Sequence, residues 1–166
     1  MKKNIILCGF MGCGKSTVGA LLAKKTGMAF IDLDSYIEKK QGMTVSDIFE
    51  KYGEPRFREL EREAARELSQ KNSMVIAAGG GTLTFQENVD TLRTSGKIIL
   101  LDLPLDTVAK RLENDTTRPL LNRPDKLEAM KALFEKRLPI YKAAADIIVN
   151  GDESPMQVCM EIMSQI

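Results

Sequence analysis

The apolar run Asn4-Ile5-Ile6-Leu7-Cys8 leads straight into Gly9-Phe10-Met11-Gly12-Cys13-Gly14-Lys15-Ser16, a G-x-x-x-x-G-K-S octet. Few folds accommodate that order, because a buried strand has to end in a glycine turn and hand over to a helix at the lysine. The glycines let successive backbone N–H groups curl around phosphate oxygens. Lys15 adds a mobile positive charge, and Ser16 offers a hydroxyl to a bound Mg2+ at the helix N-terminus. Thr17 to Lys25 reads as the helix. The expectation is a cradle for a triphosphate.

The rest of the chain repeats the same rhythm. Asn4 to Cys8, Ala29 to Leu33, Met74 to Ala78, Lys97 to Leu103 and Asp146 to Val149 read as five buried strands separated by longer helical patterns, which predicts a parallel α/β sheet. With 166 residues the chain is one domain, 1–166, so a second site must be an insertion. Thr84-Phe85-Gln86-Glu87 has the form of a capping box, Pro104 and Pro155 suit the first position of a helix, and Ser154 suits the N-cap of the last one. Two segments break the alternation. Ser35 to Lys71 reads as an extended helical insert, dense in Arg and Glu over Pro55 to Ser69, where most of the charge belongs to a solvated face. Glu113 to Asp125 is polar and interrupted by proline, the character of a lid or a disordered segment with few apolar anchors.

Composition removes several classes of function. There is no histidine, which excludes Ser-His and Cys-His nucleophiles and most catalytic zinc sites. Carboxylates, lysine, arginine and Mg2+ are left to do chemistry. A formal charge of +1 without long basic runs gives no footprint for nucleic acid. Cys8, Cys13 and Cys159 are odd in number and lack C-x-x-C spacing, so a reducing cytoplasm is expected. The opening apolar run breaks at Gly9 with no cleavage-type site, and no stretch is long enough to span a membrane.

Asp32 and Asp34 close the second strand, where a spacing of two puts both carboxylates on one face at the ligand edge. One can serve Mg2+ and the other a phosphoryl acceptor; the competing role is a helix cap at Asp34 or Ser35. Gly79, Gly80 and Gly81 follow the third strand, at the same edge, and permit close approach by a substrate. Asp102 ends the fourth strand and is an alternative Mg2+ aspartate, although Asp32 is preferred for its partner Asp34.

Behind the phosphate loop, Asp32-Leu33-Asp34, Phe57-Arg58-Glu59-Leu60-Glu61, Gly79-Gly80-Gly81, Arg118-Pro119-Leu120-Leu121 and Arg137-Leu138-Pro139-Ile140-Tyr141 occur in order. Together they resemble the shikimate kinases over essentially the whole chain. The resemblance implies an α/β, three-layer P-loop kinase fold, with a five-stranded parallel sheet in the order 2-3-1-4-5 flanked by helices. A substrate-binding insert at about 33–61 and a lid at about 112–125 are expected with it. It also implies ATP as co-substrate, Mg2+ as cofactor and transfer to the 3-hydroxyl of shikimate, on the path to chorismate and the aromatic amino acids. Carried over by residue, Gly12, Cys13, Gly14, Lys15, Ser16 and Thr17 form the nucleotide cradle, with Ser16 and Asp32 at the metal. Asp34 takes the acceptor hydroxyls, Arg58 and Arg137 its carboxylate, and Gly80, between Gly79 and Gly81, contributes a contact. Arg118 is the lid arginine, while Arg111 and the Ser154-Pro155 region fall near adenine. A cytoplasmic monomer is expected.

These residue types suit phosphoryl transfer, whose loose transition state needs positioning and cationic stabilisation more than a strong base. Lys15, Asp34 and Arg118 are the candidate catalytic residues. Related kinases of the same fold act on gluconate or nucleoside monophosphates. Asp34, Arg58, Arg137 and the triple glycine suit a small hydroxylated carboxylate better than a nucleotide, and no N-K-x-D guanine motif is present.

Overall fold

The computed structural model describes residues 3–115, 118–121 and 123–166. Strands β1 (Asn4–Cys8), β2 (Ala29–Asp32), β3 (Met74–Ala77), β4 (Gly96–Asp102) and β5 (Ile147–Asn150) form one sheet. Every pairing is parallel and the order is β2-β3-β1-β4-β5. The apolar runs match these strands to within one residue at each end. The three inner strands are apolar without alternation because both their faces are covered: Ile6, Val75, Ile76, Ile98 and Ile99 have no exposed surface.

Helices α1 (Lys15–Thr26), α2 (Leu33–Gln41), α3 (Val45–Tyr52), α4 (Glu54–Ser69), α5 (Gln86–Arg93), α6 (Leu105–Leu112), α7 (Lys126–Ala144) and α8 (Pro155–Gln165) flank the sheet. α1 packs on α8, α4 packs on α5, and α5 and α7 lie against β4. At the start of the sheet the buried Asn4 fastens β1 to the approach of β3. Its Oδ1 accepts from the Met74 N–H at 3.0 Å and its Nδ2 donates to the Lys71 carbonyl at 2.9 Å. That fixes the register Ile5↔Val75 through Leu7↔Ala77, so the loops after β1 and β3 emerge side by side.

Three expected local structures are different. Asp32-Leu33-Asp34 is not an extended pair of carboxylates, because the chain turns into α2 at Leu33. Asp32 is the N-cap, its Oδ1 accepting from the Ser35 N–H at 3.0 Å, while Leu33 is driven fully into the core. Asp34 therefore sits in the first helical turn, and neither it nor Ser35 is the cap. The capping-box pattern at Thr84 is also unused. Thr82–Thr84 form a 3-10 turn, the Thr84 hydroxyl donates to the Gly81 carbonyl at 2.6 Å, and α5 starts behind Phe85 without a side-chain cap. Pro104 is an N-cap, not a first helical residue. Ser154 does cap α8, in a reciprocal box with Gln157 and with Pro155 opening the helix.

The insert consists of α2, α3 and α4. In the polar segment between α6 and α7, Pro119–Leu121 make a 3-10 turn that touches both α3 and α7. Leu121 is wholly buried, so the segment has an apolar anchor that its polar composition concealed. Thr116, Thr117 and Asn122, which belong to the expected lid, lie outside the described residues. Among the described residues no helix is long and apolar enough to cross a membrane.

Candidate active site

The phosphate loop takes the shape its glycines permit. Gly12 and Gly14 have φ of 80° and 91°, left-handed values that a side chain would resist. Gly14 stands at the N-cap of α1 without a side-chain cap, and the first turn of α1 carries no acidic residue. Its unpaired N–H groups and positive helix end are thus left open to an anion. Lys15 folds over the loop, donating to the carbonyls of Gly9 at 2.7 Å and Phe10 at 3.3 Å. The Ser16 hydroxyl donates to Asp32 Oδ2 at 2.6 Å. Asp32 therefore spends one oxygen on the cap of α2 and presents the other beside the phosphate loop.

A cavity of about 870 Å³ opens above this loop and continues between the insert and the glycine turn. Asp34, Arg58 and Arg137 line it together with Lys15, Ser16 and Arg118. The Asp34 Oδ1 is enclosed and has no hydrogen-bond partner. Burial pushes its pKa up to about 6, helped by the carboxylates of Glu61 and Asp32 and opposed by Lys15 and Arg118. Arg58, on α4, is held from several sides. It donates to Glu61 Oε1 at 2.6 Å and to Glu54 Oε2 at 3.2 Å, and its guanidinium lies over Phe57 and Phe85 at 5.4 and 5.5 Å from the ring centres. Burial works against its charge, but the two glutamates hold its pKa above the ordinary value.

Each of the three glycines after β3 lies against one of these polar heads. A Cβ on Gly79 would meet Asp34 Oδ1 at 2.6 Å, one on Gly80 would meet an Arg137 nitrogen at 3.2 Å, and one on Gly81 would meet an Arg58 nitrogen at 2.4 Å. The turn is a side-chain-free floor on which a carboxylate and two guanidinium groups rest.

The family model for shikimate kinase matches residues 11–166. The chain belongs to the shikimate kinase family. It is 45% identical to the shikimate kinase of Sulfurihydrogenibium sp. (strain YO3AOP1) over 165 residues, 99% of this chain and 98% of that one. It superposes on a shikimate kinase from Acinetobacter baumannii, solved in complex with shikimate, with a TM-score of 0.95 and 34% identity, covering 99% and 93% of the two chains. The shikimate kinase from Aquifex aeolicus gives a TM-score of 0.86 and 40% identity, covering 97% and 94%.

In this shikimate kinase family member the cavity is drawn from elements far apart in sequence: the starts of α1 and α2, α4, the turn after β3, the segment before α7 and α7 itself. Glu61 and Tyr141, to which the sequence assigns no role, stand beside the site as buried supports. Glu61 is 1% exposed, and its second oxygen accepts from the Thr82 hydroxyl at 2.6 Å while the first holds Arg58. The Tyr141 hydroxyl donates to the Gly80 carbonyl. Their signal was an ionisable or polar residue one turn from an arginine on the same helix face. Met11, Phe49 and Phe57 also line the cavity, as apolar wall. Arg111 lines it too, donating to the Gly12 carbonyl at 3.0 Å. Arg118 pairs with Asp115 at 3.4 Å. Pro155 and Asp102 are not brought to the cavity: the first opens α8 and the second ends β4.

The donor set near the loop fits a hard cation. Among the described residues no cluster of three or more acidic, His or Cys ligands is present. Ser16 and Asp32 supply two oxygens, which suits Mg2+, an ion that keeps waters and takes its remaining oxygens from phosphates.

Proposed function

We propose that this chain transfers the γ-phosphoryl group of ATP to the 3-hydroxyl of shikimate, giving shikimate 3-phosphate and ADP on the path to chorismate and the aromatic amino acids. One observation carries the reading: the phosphate loop and the set Asp34, Arg58 and Arg137 face a single cavity. In it a triphosphate and a small hydroxylated carboxylate can lie end to end.

The amides of Gly12 to Thr17 and Lys15 hold the β- and γ-phosphates, and Arg111 borders the nucleotide side. The forks of Arg58 and Arg137 clamp the acceptor carboxylate against Gly80 and Gly81, which leaves the ring hydroxyls facing Asp34. The hydroxyl oxygen attacks the γ-phosphorus, the bond from that phosphorus to the bridging oxygen of ADP breaks, and the acceptor proton passes to Asp34 and then to water. Lys15 and Arg118 stabilise charge on the equatorial oxygens as it develops. Ser16 and Asp32 would hold Mg2+, which would supply charge neutralisation at the phosphates. The chain is proposed to act as a monomer, and three free, buried cysteines support a reducing cytoplasm.

The test is release of ADP from Mg-ATP with shikimate, gluconate and AMP in parallel, with the product identified by phosphorus NMR. Turnover with shikimate alone, abolished by chelation, is the expected result. Turnover with gluconate or AMP but not shikimate overturns the reading.

A further inference from the structure

Arg137 and Tyr141 are one helical turn apart on α7, so their side chains share a face. Tyr141 is 1% exposed, too deep to touch a ligand across the cavity mouth. Its ring packs behind the phosphate loop, in a small apolar niche with Phe10, Cys13, Val108 and Phe134. Its hydroxyl reaches the other way. It donates to the carbonyl of Gly80, and the positive charge of Arg137 lies beside the phenol. The one proton a phenol has to give is spent on this peptide, the same one that Arg137 rests against. Gly80 cannot anchor itself by a side chain, and Arg137 stands 3.2 Å from where its Cβ would be.

We propose that Tyr141 is a positioning residue for the acceptor: its hydroxyl fixes Arg137 and the Gly80 peptide relative to one another, with its ring braced on the back of the phosphate loop. The inference rests on the acceptor site assigned above. Without the hydroxyl, the Gly80 carbonyl loses its donor, and the peptide against which Arg137 rests loosens where a carboxylate would bind.

The experiment compares the parent with Tyr141→Phe, which keeps the ring and its packing. Shikimate binding is read by calorimetry, since the chain has no tryptophan to report it, and by KM. A weakening of shikimate binding by roughly 5- to 20-fold is expected, with affinity for a non-hydrolysable ATP analogue within about two-fold. If the tyrosine acts through Arg137, the same substitution made in an Arg137→Ala background changes the shikimate KM by no more than about two-fold. An unchanged shikimate affinity, equal losses for both ligands, an undiminished loss in the Arg137→Ala background, or failure of Tyr141→Phe to fold would each overturn the proposal. A parent enzyme that does not phosphorylate shikimate instead overturns the function itself, so the two failures are separable.

Discussion

Gly81 and Arg58 are so close that a methyl group on the glycine would lie 2.4 Å from a guanidinium nitrogen. The backbone of Gly81, at φ −102° and ψ −7°, lies in the bridge region, which alanine can occupy without a left-handed φ. Strain in Gly81→Ala therefore falls on Arg58, which is pinned by Glu54, Glu61 and two aromatic rings. The melting temperature should stay near that of the parent, because a permitted Gly→Ala change itself stabilises by about 0.4 to 1 kcal/mol. Shikimate affinity should fall by roughly ten-fold or more as the fork is pushed aside, with ATP affinity unchanged. Titration of both ligands against the folded variant checks this.

Asp34 gives the site a pH signature. With its pKa at about 6, the carboxylate is progressively protonated below that pH, and kcat/KM for shikimate should fall on the acid side with a midpoint near there. Glu61→Gln removes a neighbouring negative charge, so the midpoint should move to lower pH even though the Arg58 clamp is weakened.

The same group makes a linked prediction for stability. Between the ordinary value of 3.8 and about 6 the folded chain holds a proton that the unfolded chain has released, so stability falls as pH rises through that window. Above it the ionised carboxylate costs up to about 3 kcal/mol. Asp34→Asn should melt higher than the parent at pH 8, with the difference closing toward pH 4, while kcat drops strongly. Thermal melts across that range test the sign.

Asp32 has two separable duties, and two substitutions divide them. Asparagine also caps helices, so Asp32→Asn should leave the melting temperature almost unchanged while raising the Mg2+ concentration for half-maximal activity by roughly ten-fold. Asp32→Ala should lose about 1 kcal/mol of stability as well. Metal titrations of activity beside melting curves distinguish the two outcomes.

The segment before α7 should close on Leu121. Truncation to alanine removes a fully buried side chain where the 3-10 turn meets α3 and α7. Amide exchange over the described residues 118–121 should quicken more than exchange in β1 and β4. Arg118→Ala should lower kcat more than it weakens ATP binding, since the contact is strongest in the transition state. Protection that is the same in Leu121→Ala and the parent would show that the turn is held elsewhere.

Strands and phosphate loop were legible because each depends on local pattern: an apolar run, a glycine spacing, a helix start; the sheet order is not local and came only with the family resemblance. The start of α2 was not, since a strand-ending aspartate and a helix-capping aspartate look alike until Leu33 is seen to turn into the core. Thr84 failed for a related reason, its hydroxyl having a nearer acceptor in Gly81 than the helix it was expected to cap. Glu61 reads in sequence as one more charge on a solvated helix. Only the approach of Thr82 from another part of the chain, with Arg58 one turn away on the same helix, makes it a buried support. Leu121 was hidden by the polar company it keeps.

The pairing of β1 with β3 has a consequence for how such an enzyme can change over generations. The loop with Lys15 and the turn with the three glycines leave neighbouring rungs of one ladder, about 4.8 Å apart, and neither can drift without unzipping the middle of the sheet. Donor and acceptor are thus gauged by the backbone itself, whatever side chains surround them. The insert of α2, α3 and α4, which carries Asp34 and Arg58, and α7, which carries Arg137, are free of that constraint, and a descendant can exchange one acceptor for another by rewriting them while inheriting the transfer distance intact.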